Sequence, residues 1–323
     1  MAKYKVDKVR GSQDAGGKVL IGKFCIVIPT YNEAENLPKL IMEIENLLRT
    51  YDFTLIVVDD ASPDGTAQVA ETLNGLYGNI VVRRRTGKLG IGSAISEGLK
   101  TALAMDDVKF IVTLDGDLSH NPKEIPKLLR AAEKADLVQG SRYVDEGHIN
   151  GWSPTRRLVS LIANIFCRVF FGNSVHEYTG NFRVYSRECT EVITNFTRCK
   201  GFEWVVEALV TAKRHGFTVK EVPITFSNRH NGKTKLRAKD VVSWFFFAAK
   251  TMLPVFPTSS GFIRSSVYPF SEDHSKSVIQ KSSTINETST AAPIVSTTMY
   301  TLSSESPALS DHARSVKCVK SSE

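Results

Sequence analysis

Cysteine is scarce in this chain: Cys25, Cys167, Cys189, Cys199 and Cys318 are the only 5 in 323 residues. The count is odd and no pair is spaced as Cys-x-x-Cys. Both a disulfide framework and a zinc ribbon are therefore unsupported, and a reducing compartment is favoured. Long hydrophobic runs are missing too. No stretch reaches the roughly 20 apolar residues a membrane-spanning helix needs. The nearest, 241–256 (VVSWFFFAAKTMLPVF), is broken by Lys250 and Pro254. Residues 1–22 are polar, rich in Gly and Lys, and have no apolar centre of the kind a secretory leader carries. They read as a flexible N-terminal segment. No Ser-His-Asp or Cys-His set is evident, so His120, His148, His176 and His230 read as packing or surface residues. These absences point to a cytosolic protein that at most lies on a membrane.

What is present is ordinary globular composition, 42% hydrophobic and 23% charged, with a formal net charge of +7. A sizeable core is expected. A basic balance suits an anionic partner: nucleic acid, a membrane surface or a phosphorylated ligand. Apolar runs at 24–28 and 53–58, a shorter one at 80–82 and another at 110–114 read as strands. The first is expected to stop at Pro29. Asn32 can cap a helix whose apolar face is Leu37, Leu40, Ile41, Ile44, Leu47 and Leu48. Ser62-Pro63-Asp64-Gly65 is a turn into a second helix at Thr66. Gly90 and Gly92 open a third, and Asn121-Pro122 with Glu124 opens a fourth carrying Ile125, Leu128 and Leu129. Strands that are apolar throughout are buried on both faces. The fold class is therefore α/β: a Rossmann-like, mostly parallel sheet with helices on each side.

In such sheets ligands bind beyond the carboxyl ends of the strands. Three polar clusters fall there: residues 29–33 (Pro-Thr-Tyr-Asn-Glu), Asp59-Asp60, and residues 115–120 (Asp-Gly-Asp-Leu-Ser-His). In the last, Asp115 and Asp117 stand just past a strand, and Gly116 between them permits a tight backbone. Paired hard oxygen ligands at that place suit Mg²⁺ or Mn²⁺ held against a diphosphate. Taken alone, Asp-x-Asp is as often a simple turn, Glu33 a first-turn charge on a helix dipole, and Ser119 a capping hydroxyl.

The order and spacing of further segments add specificity. From residue 24 to about 250 the chain resembles the catalytic subunits of dolichol-phosphate mannosyltransferases, which are GT-A nucleotide-sugar glycosyltransferases. The matching segments are 28–33 (Ile-Pro-Thr-Tyr-Asn-Glu), 59–66 (Asp-Asp-Ala-Ser-Pro-Asp-Gly-Thr), 88–94 (Lys-Leu-Gly-Ile-Gly-Ser-Ala), 115–120, 140–143 (Gly-Ser-Arg-Tyr), 179–185 (Thr-Gly-Asn-Phe-Arg-Val-Tyr) and 221–224 (Glu-Val-Pro-Ile). The resemblance implies that Pro29, Tyr31, Glu33, Val58 and Asp60 line a guanosine pocket. It implies that Asp115 and Asp117 hold the metal, with Gly116 close to the donor and Ser119 a weaker candidate ligand. Arg142, with Arg229 and Lys235 from the basic loop 228–235, is implied to clamp phosphate; a solvated loop is the plain alternative for those basic residues. Asp117, Arg142, Arg229 and Lys235 would carry the catalysis. Two positions depart from the family pattern: Glu177 replaces the usual Asp before Thr-Gly, and Asn181 stands where a small hydroxyl is common.

The reaction so implied transfers mannose from GDP-mannose to dolichyl phosphate with inversion, for glycan, O-mannose and GPI-anchor synthesis. It would take place peripherally on the cytosolic face of the endoplasmic reticulum membrane, with small membrane-anchoring partner subunits and without nucleic acid. The apolar stretches near 156–171 and 238–256 are open to two readings, buried core helices or helices at the lipid interface. The catalytic domain is expected to span 23–257. Residues 258–323 are Ser/Thr-rich, lack apolar periodicity and read as a disordered tail. The competing functions are a dolichyl-phosphate glucosyltransferase using UDP-glucose, a basic nucleic-acid-binding protein, and a noncatalytic scaffold subunit.

Overall fold

The computed structural model describes residues 21–228. Arg229, Lys235, the stretch 238–256 and the segments 1–20 and 258–323 lie outside the described residues. Seven strands form one sheet in the order β3-β2-β1-β4-β7-β5-β8. They are β1 (Phe24–Thr30), β2 (Phe53–Asp59), β3 (Ile80–Arg84), β4 (Phe110–Thr113), β5 (Leu137–Ser141), β7 (Arg183–Ser186) and β8 (Val219–Pro223). A separate two-residue ribbon pairs β6 (His148–Ile149) with β9 (Thr225–Phe226). Only β7 runs antiparallel to its neighbours, β4 and β5.

Helices cover both faces. Helices α1 (Leu37–Leu47), α2 (Thr66–Tyr77) and α4 (Ile125–Ala132) pack on one side, where Ile26, Ile28, Leu40, Ile41, Leu55, Leu128 and Val184 form a core. Helices α3 (Ile91–Leu103), α6 (Arg187–Phe196) and α7 (Trp204–Arg214) pack on the other, with Val27, Ile56, Val58, Ile95, Leu99, Tyr185 and Trp204. Strand residues therefore alternate between two apolar layers, which is why runs such as 24–28 are apolar at every position.

Two sequence expectations need correction. Pro29 does not stop β1; it pairs with Val58 inside the strand. Its missing N–H falls on the side facing β4, and β4 has already ended at Thr113, opposite Val27. No ladder bond is lost there. Asn32 does not cap α1. It adopts a left-handed backbone (φ 55), and the helix starts at Leu37, after Asn36 and with Pro38 in its first turn.

Helix α5 (Pro154–Phe171) decides between the two readings of the first apolar stretch. Only Asn164 and Cys167 are buried in it. Leu158, Val159, Leu161, Ile162, Ile165, Val169 and Phe170 are exposed. It is not a core helix. Among the described residues no helix is long and apolar enough to cross a membrane.

Candidate active site

The ends of β1, β2 and β4 share one rim because the strands are parallel and in register, with Thr30 opposite Asp59. Hydrogen bonds lock the rim. The Asp60 amide donates to the Thr30 carbonyl at 3.0 Å. The Asp59 carboxylate accepts from the Thr30 hydroxyl at 3.1 Å and the Ser62 amide at 2.9 Å. Asn32 N–H donates to the Ser62 hydroxyl at 3.0 Å, Glu33 N–H to that of Thr66 at 2.9 Å, and Ala34 N–H to Asp64 at 3.1 Å. The loop after β1 is thereby stitched to the loop after β2. Tyr31 and Glu33 both lie on it. Glu33 is buried and accepts from the Asn36 side chain at 2.7 Å. The Lys88 ammonium sits 3.7 Å from the centre of the Tyr31 ring.

Asp60 is drawn into protein contacts. One carboxylate oxygen meets the Arg85 guanidinium, and the other accepts from Gly90 N–H at 3.0 Å. Arg85 also donates to Ser93 at 2.7 Å and pairs with Glu97 at 3.2 Å. The pair ties the β2 end to the start of α3. Arg85 was not foreseen. It sits in the run Arg83-Arg84-Arg85, and only the fold shows that Arg84 turns out to Glu71 while Arg85 turns in. Val58 is fully buried and packs toward Gly98 of α3; Pro29 is buried within β1. Neither side chain faces an open surface.

The carboxylate pair lies at the same rim. A Cβ on Gly116 would stand 3.3 Å from Thr30 and 3.5 Å from Glu33, so the segment passes tightly beneath the β1 loop. Asp117 is buried, and one of its oxygens accepts from Ser119 N–H at 3.1 Å and the Ser119 hydroxyl at 2.5 Å. Ser119 therefore orients Asp117. Leu118 between them is held at φ 62, a conformation few residues other than glycine adopt. Asp115 is the more open member, 29% exposed, and accepts from the Asn181 side chain at 3.0 Å. Its N–H donates to His120 Nδ1 at 3.1 Å. His120 is packed between Phe182 and Phe226, and burial pushes its pKa down, so the ring is neutral and serves as a spacer.

No cluster of three or more His, Cys, Asp or Glu that could hold a metal exists among the described residues. Two carboxylates two residues apart on this loop still fit Mg²⁺ or Mn²⁺. Such ions are commonly held by one or two carboxylates, with water and substrate phosphate completing the shell.

Arg142 follows directly on β5. Its guanidinium forms a forked pair with Glu177, at 2.7 and 2.6 Å, and donates to the Thr179 hydroxyl at 3.1 Å. Glu177 is wholly buried. Burial by itself would raise its pKa, but Arg142 and the hydrogen bonds outweigh that and hold it below the usual value. For Arg142, burial works against its charge and Glu177 more than restores it. Trp152 and Phe226 pack around the guanidinium at 5.0 and 5.1 Å. Arg156, in the first turn of α5, lies 4.0 Å from the ring centre of Trp152. Arg142 and Arg156 thus both contact one tryptophan where α5 begins. Arg156 and Trp152 had no motif to reveal them.

A phosphate-compatible rim with paired carboxylates on a mostly parallel sheet defines a GT-A-like glycosyltransferase. The chain belongs to glycosyl transferase family 2, whose model matches residues 25–194. It is 38% identical over 229 residues to the polyprenol monophosphomannose synthase of Mycolicibacterium smegmatis, covering 70% of this chain and 85% of that one. It is 35% identical over 212 residues to the undecaprenyl-phosphate mannosyltransferase of Micrococcus luteus, covering 65% and 86%. Among solved structures it resembles glucosyl-3-phosphoglycerate synthase from Mycobacterium tuberculosis bound to phosphoglyceric acid, with a TM-score of 0.55 and 18% identity over 72% of this chain and 80% of that one. The same enzyme with Mn²⁺ and UDP-glucose gives a TM-score of 0.53 at 19% identity over 71% and 79%. At that identity the likeness concerns the fold.

Proposed function

We propose that the chain transfers mannose from GDP-mannose to a polyprenyl phosphate, with dolichyl phosphate as the acceptor its sequence resemblance implies. The observation that carries this reading is one rim bearing the Asp115/Asp117 pair, with Arg142 and Arg156 gathered at the foot of a helix that turns its aliphatic side outward. The names of two relatives above 30% identity agree with it. Asp115 and Asp117 would hold Mg²⁺ or Mn²⁺, which supplies charge compensation to the departing diphosphate. Glu33 and Tyr31 offer an acceptor and an aromatic face to the nucleoside. Asp60 supports that loop through Arg85.

A phosphate monoester has a second pKa of about 6 and is mostly ionised near neutrality. Its oxygen can attack the anomeric carbon without a general base. A bond forms between that oxygen and the sugar carbon, the bond to the diphosphate breaks, and the electron pair leaves with GDP. Attack from the face opposite the leaving group inverts the centre. His120, buried and neutral, takes no part. Arg142, preorganised by Glu177, supplies a fixed cation to the incoming phosphate. Arg229 and Lys235 are assigned to the same clamp from the resemblance.

A lipid acceptor requires access to a bilayer. The exposed Leu158, Ile162, Ile165 and Val169 of α5 supply an apolar surface for it, with Arg156 and Arg157 placed to meet headgroup phosphate. Peripheral attachment, small anchoring subunits and a cytosolic face at the endoplasmic reticulum belong to this reading. So does a catalytic domain over 23–257, flanked by a flexible segment and a tail.

The test is incubation of the purified chain with polyprenyl phosphate in vesicles and either GDP-[¹⁴C]mannose or UDP-[¹⁴C]glucose. Label is expected in lipid from GDP-mannose. Label from UDP-glucose alone would replace this reading with a glucosyltransferase.

A further inference from the structure

Helix α5 buries a carboxamide beside its apolar contacts, for Cys167 joins the core and Ala163, Phe166 and Phe171 pack against it. Ser160, Asn164 and Cys167 recur at helical spacing on its inward side, and Asn164 is 1% exposed. A buried amide in a helix needs partners for its donor and acceptor. Asn164 Nδ2 donates to the Ser160 carbonyl at 3.0 Å and to the Thr179 hydroxyl at 3.2 Å. Its Oδ1 accepts from Tyr178 N–H at 2.7 Å. Thr179 then donates to Glu177 at 2.8 Å and accepts from Arg142 at 3.1 Å. The hydroxyl has one hydrogen and two lone pairs, and all are used.

Three more bonds fasten the same loop to the end of the same helix, two of them through Lys213 of α7. Tyr178 OH donates to the Gly172 carbonyl just past α5 at 2.8 Å. Lys213 donates to the Phe171 carbonyl at 2.8 Å and to Tyr178 OH at 2.7 Å. An unbroken hydrogen-bonded chain therefore runs from the outward-facing helix through Asn164, Thr179 and Glu177 to Arg142.

We propose that Asn164 is a positioning residue: it fastens α5 to the Thr179–Glu177 clasp that aims Arg142, so the seating of α5 sets the geometry offered to the acceptor phosphate. The role rests on the transfer reaction proposed above. Asn164 touches no substrate in it. The chemistry is specific to a carboxamide. Aspartate has the same shape but no N–H for Thr179, whose only hydrogen is committed to Glu177, and it adds a negative charge beside that carboxylate.

The test compares Asn164→Asp, Thr179→Val, the double variant and Thr179→Ser. Kinetics use GDP-mannose and polyprenyl phosphate in phosphatidylcholine vesicles. Asn164→Asp should raise the acceptor KM by about tenfold, the scale of a lost buried hydrogen bond, while the donor KM stays within about twofold. Thr179→Val should match it, and Thr179→Ser should behave as the parent. The double variant should be no worse than the worse single, because both cut one chain. Losses that multiply in the double variant, or equal losses for donor and acceptor, would overturn the proposal. A readout without substrate separates this from the transfer reading: the exchange of the Arg142 Nε–H, followed by NMR. It should be slow in the parent and about tenfold faster in Asn164→Asp. Equal rates sink the positioning role whatever the substrate is. A missing mannosyl transfer with altered exchange sinks only the assigned reaction.

Discussion

Helices α3 and α5 are both apolar in sequence, and the fold uses them in opposite ways. Helix α3 turns Gly92, Ala94, Ile95, Gly98, Leu99 and Ala102 inward. Its glycines let it lie close to the sheet: a Cβ on Gly98 would stand 2.3 Å from Val27. Helix α5 buries Asn164 and Cys167 and leaves its large aliphatic residues out. Apolar content alone therefore does not place a helix. Small residues mark the helix that must approach a neighbour closely. In α5 the inward side mixes the amide of Asn164 with Cys167, Ala163, Phe166 and Phe171, while the large aliphatic residues face out.

The largest effect should come from a charge placed on matched positions of the two helices. Ile95→Glu buries an unpaired carboxylate and should cost about 4 kcal/mol or more, enough to prevent folding. Ile165→Glu lies on a residue 47% exposed. It should leave the melting temperature nearly unchanged while weakening sedimentation with phosphatidylcholine vesicles about tenfold. Equal melting temperatures for the two variants would erase the contrast.

Next in size is the clasp α5 leans on. Glu177→Gln leaves Arg142 buried without its counter-charge and should cost about 3 kcal/mol at pH 7 in chemical denaturation. The pH dependence has a definite sign. The folded pKa of Glu177 lies below its ordinary 4.5, so the stabilisation is complete above that value and is lost as pH falls through the folded pKa. The gap between parent and Glu177→Gln should therefore narrow on acidification below about 4.5. A gap that stays constant would show that the charge pair is not its source.

The smallest effect sharpens the packing argument. Gly98→Ala gains helix propensity but meets Val27, and should cost about 1–2 kcal/mol net. Val159→Ala on the open side of α5 should stay within about 0.5 kcal/mol. Thermal melting of both reads the difference.

Much of this architecture was legible because the physics is local. Strands apolar at every position announce two-sided burial, and the glycine and proline punctuation placed α2, α3 and α4. The rim residues Glu33, Asp60, Asp115, Asp117 and Ser119 followed from strand ends. Strand β7 was harder. It carries Arg183, wholly buried yet satisfied by Gln139, Val205 and Tyr178, and a buried arginine does not look like a sheet residue. The partners of the site were also hidden. Glu177 reaches Arg142 across 35 residues, and Arg85 reaches Asp60 across 25. Sequence showed Glu177 as a departure from a pattern; only the fold shows that it is the buried partner of Arg142.

The proposed transfer depends above all on a divalent ion joining Asp115 and Asp117 to a sugar-nucleotide diphosphate. Calorimetric titration of GDP-mannose into the full chain, with Mg²⁺ or Mn²⁺ and then with EDTA, tests this directly. We expect binding that needs the ion and is lost in Asp117→Asn. Affinity for GDP-mannose that is the same with and without the ion, or that survives in Asp117→Asn, would contradict it.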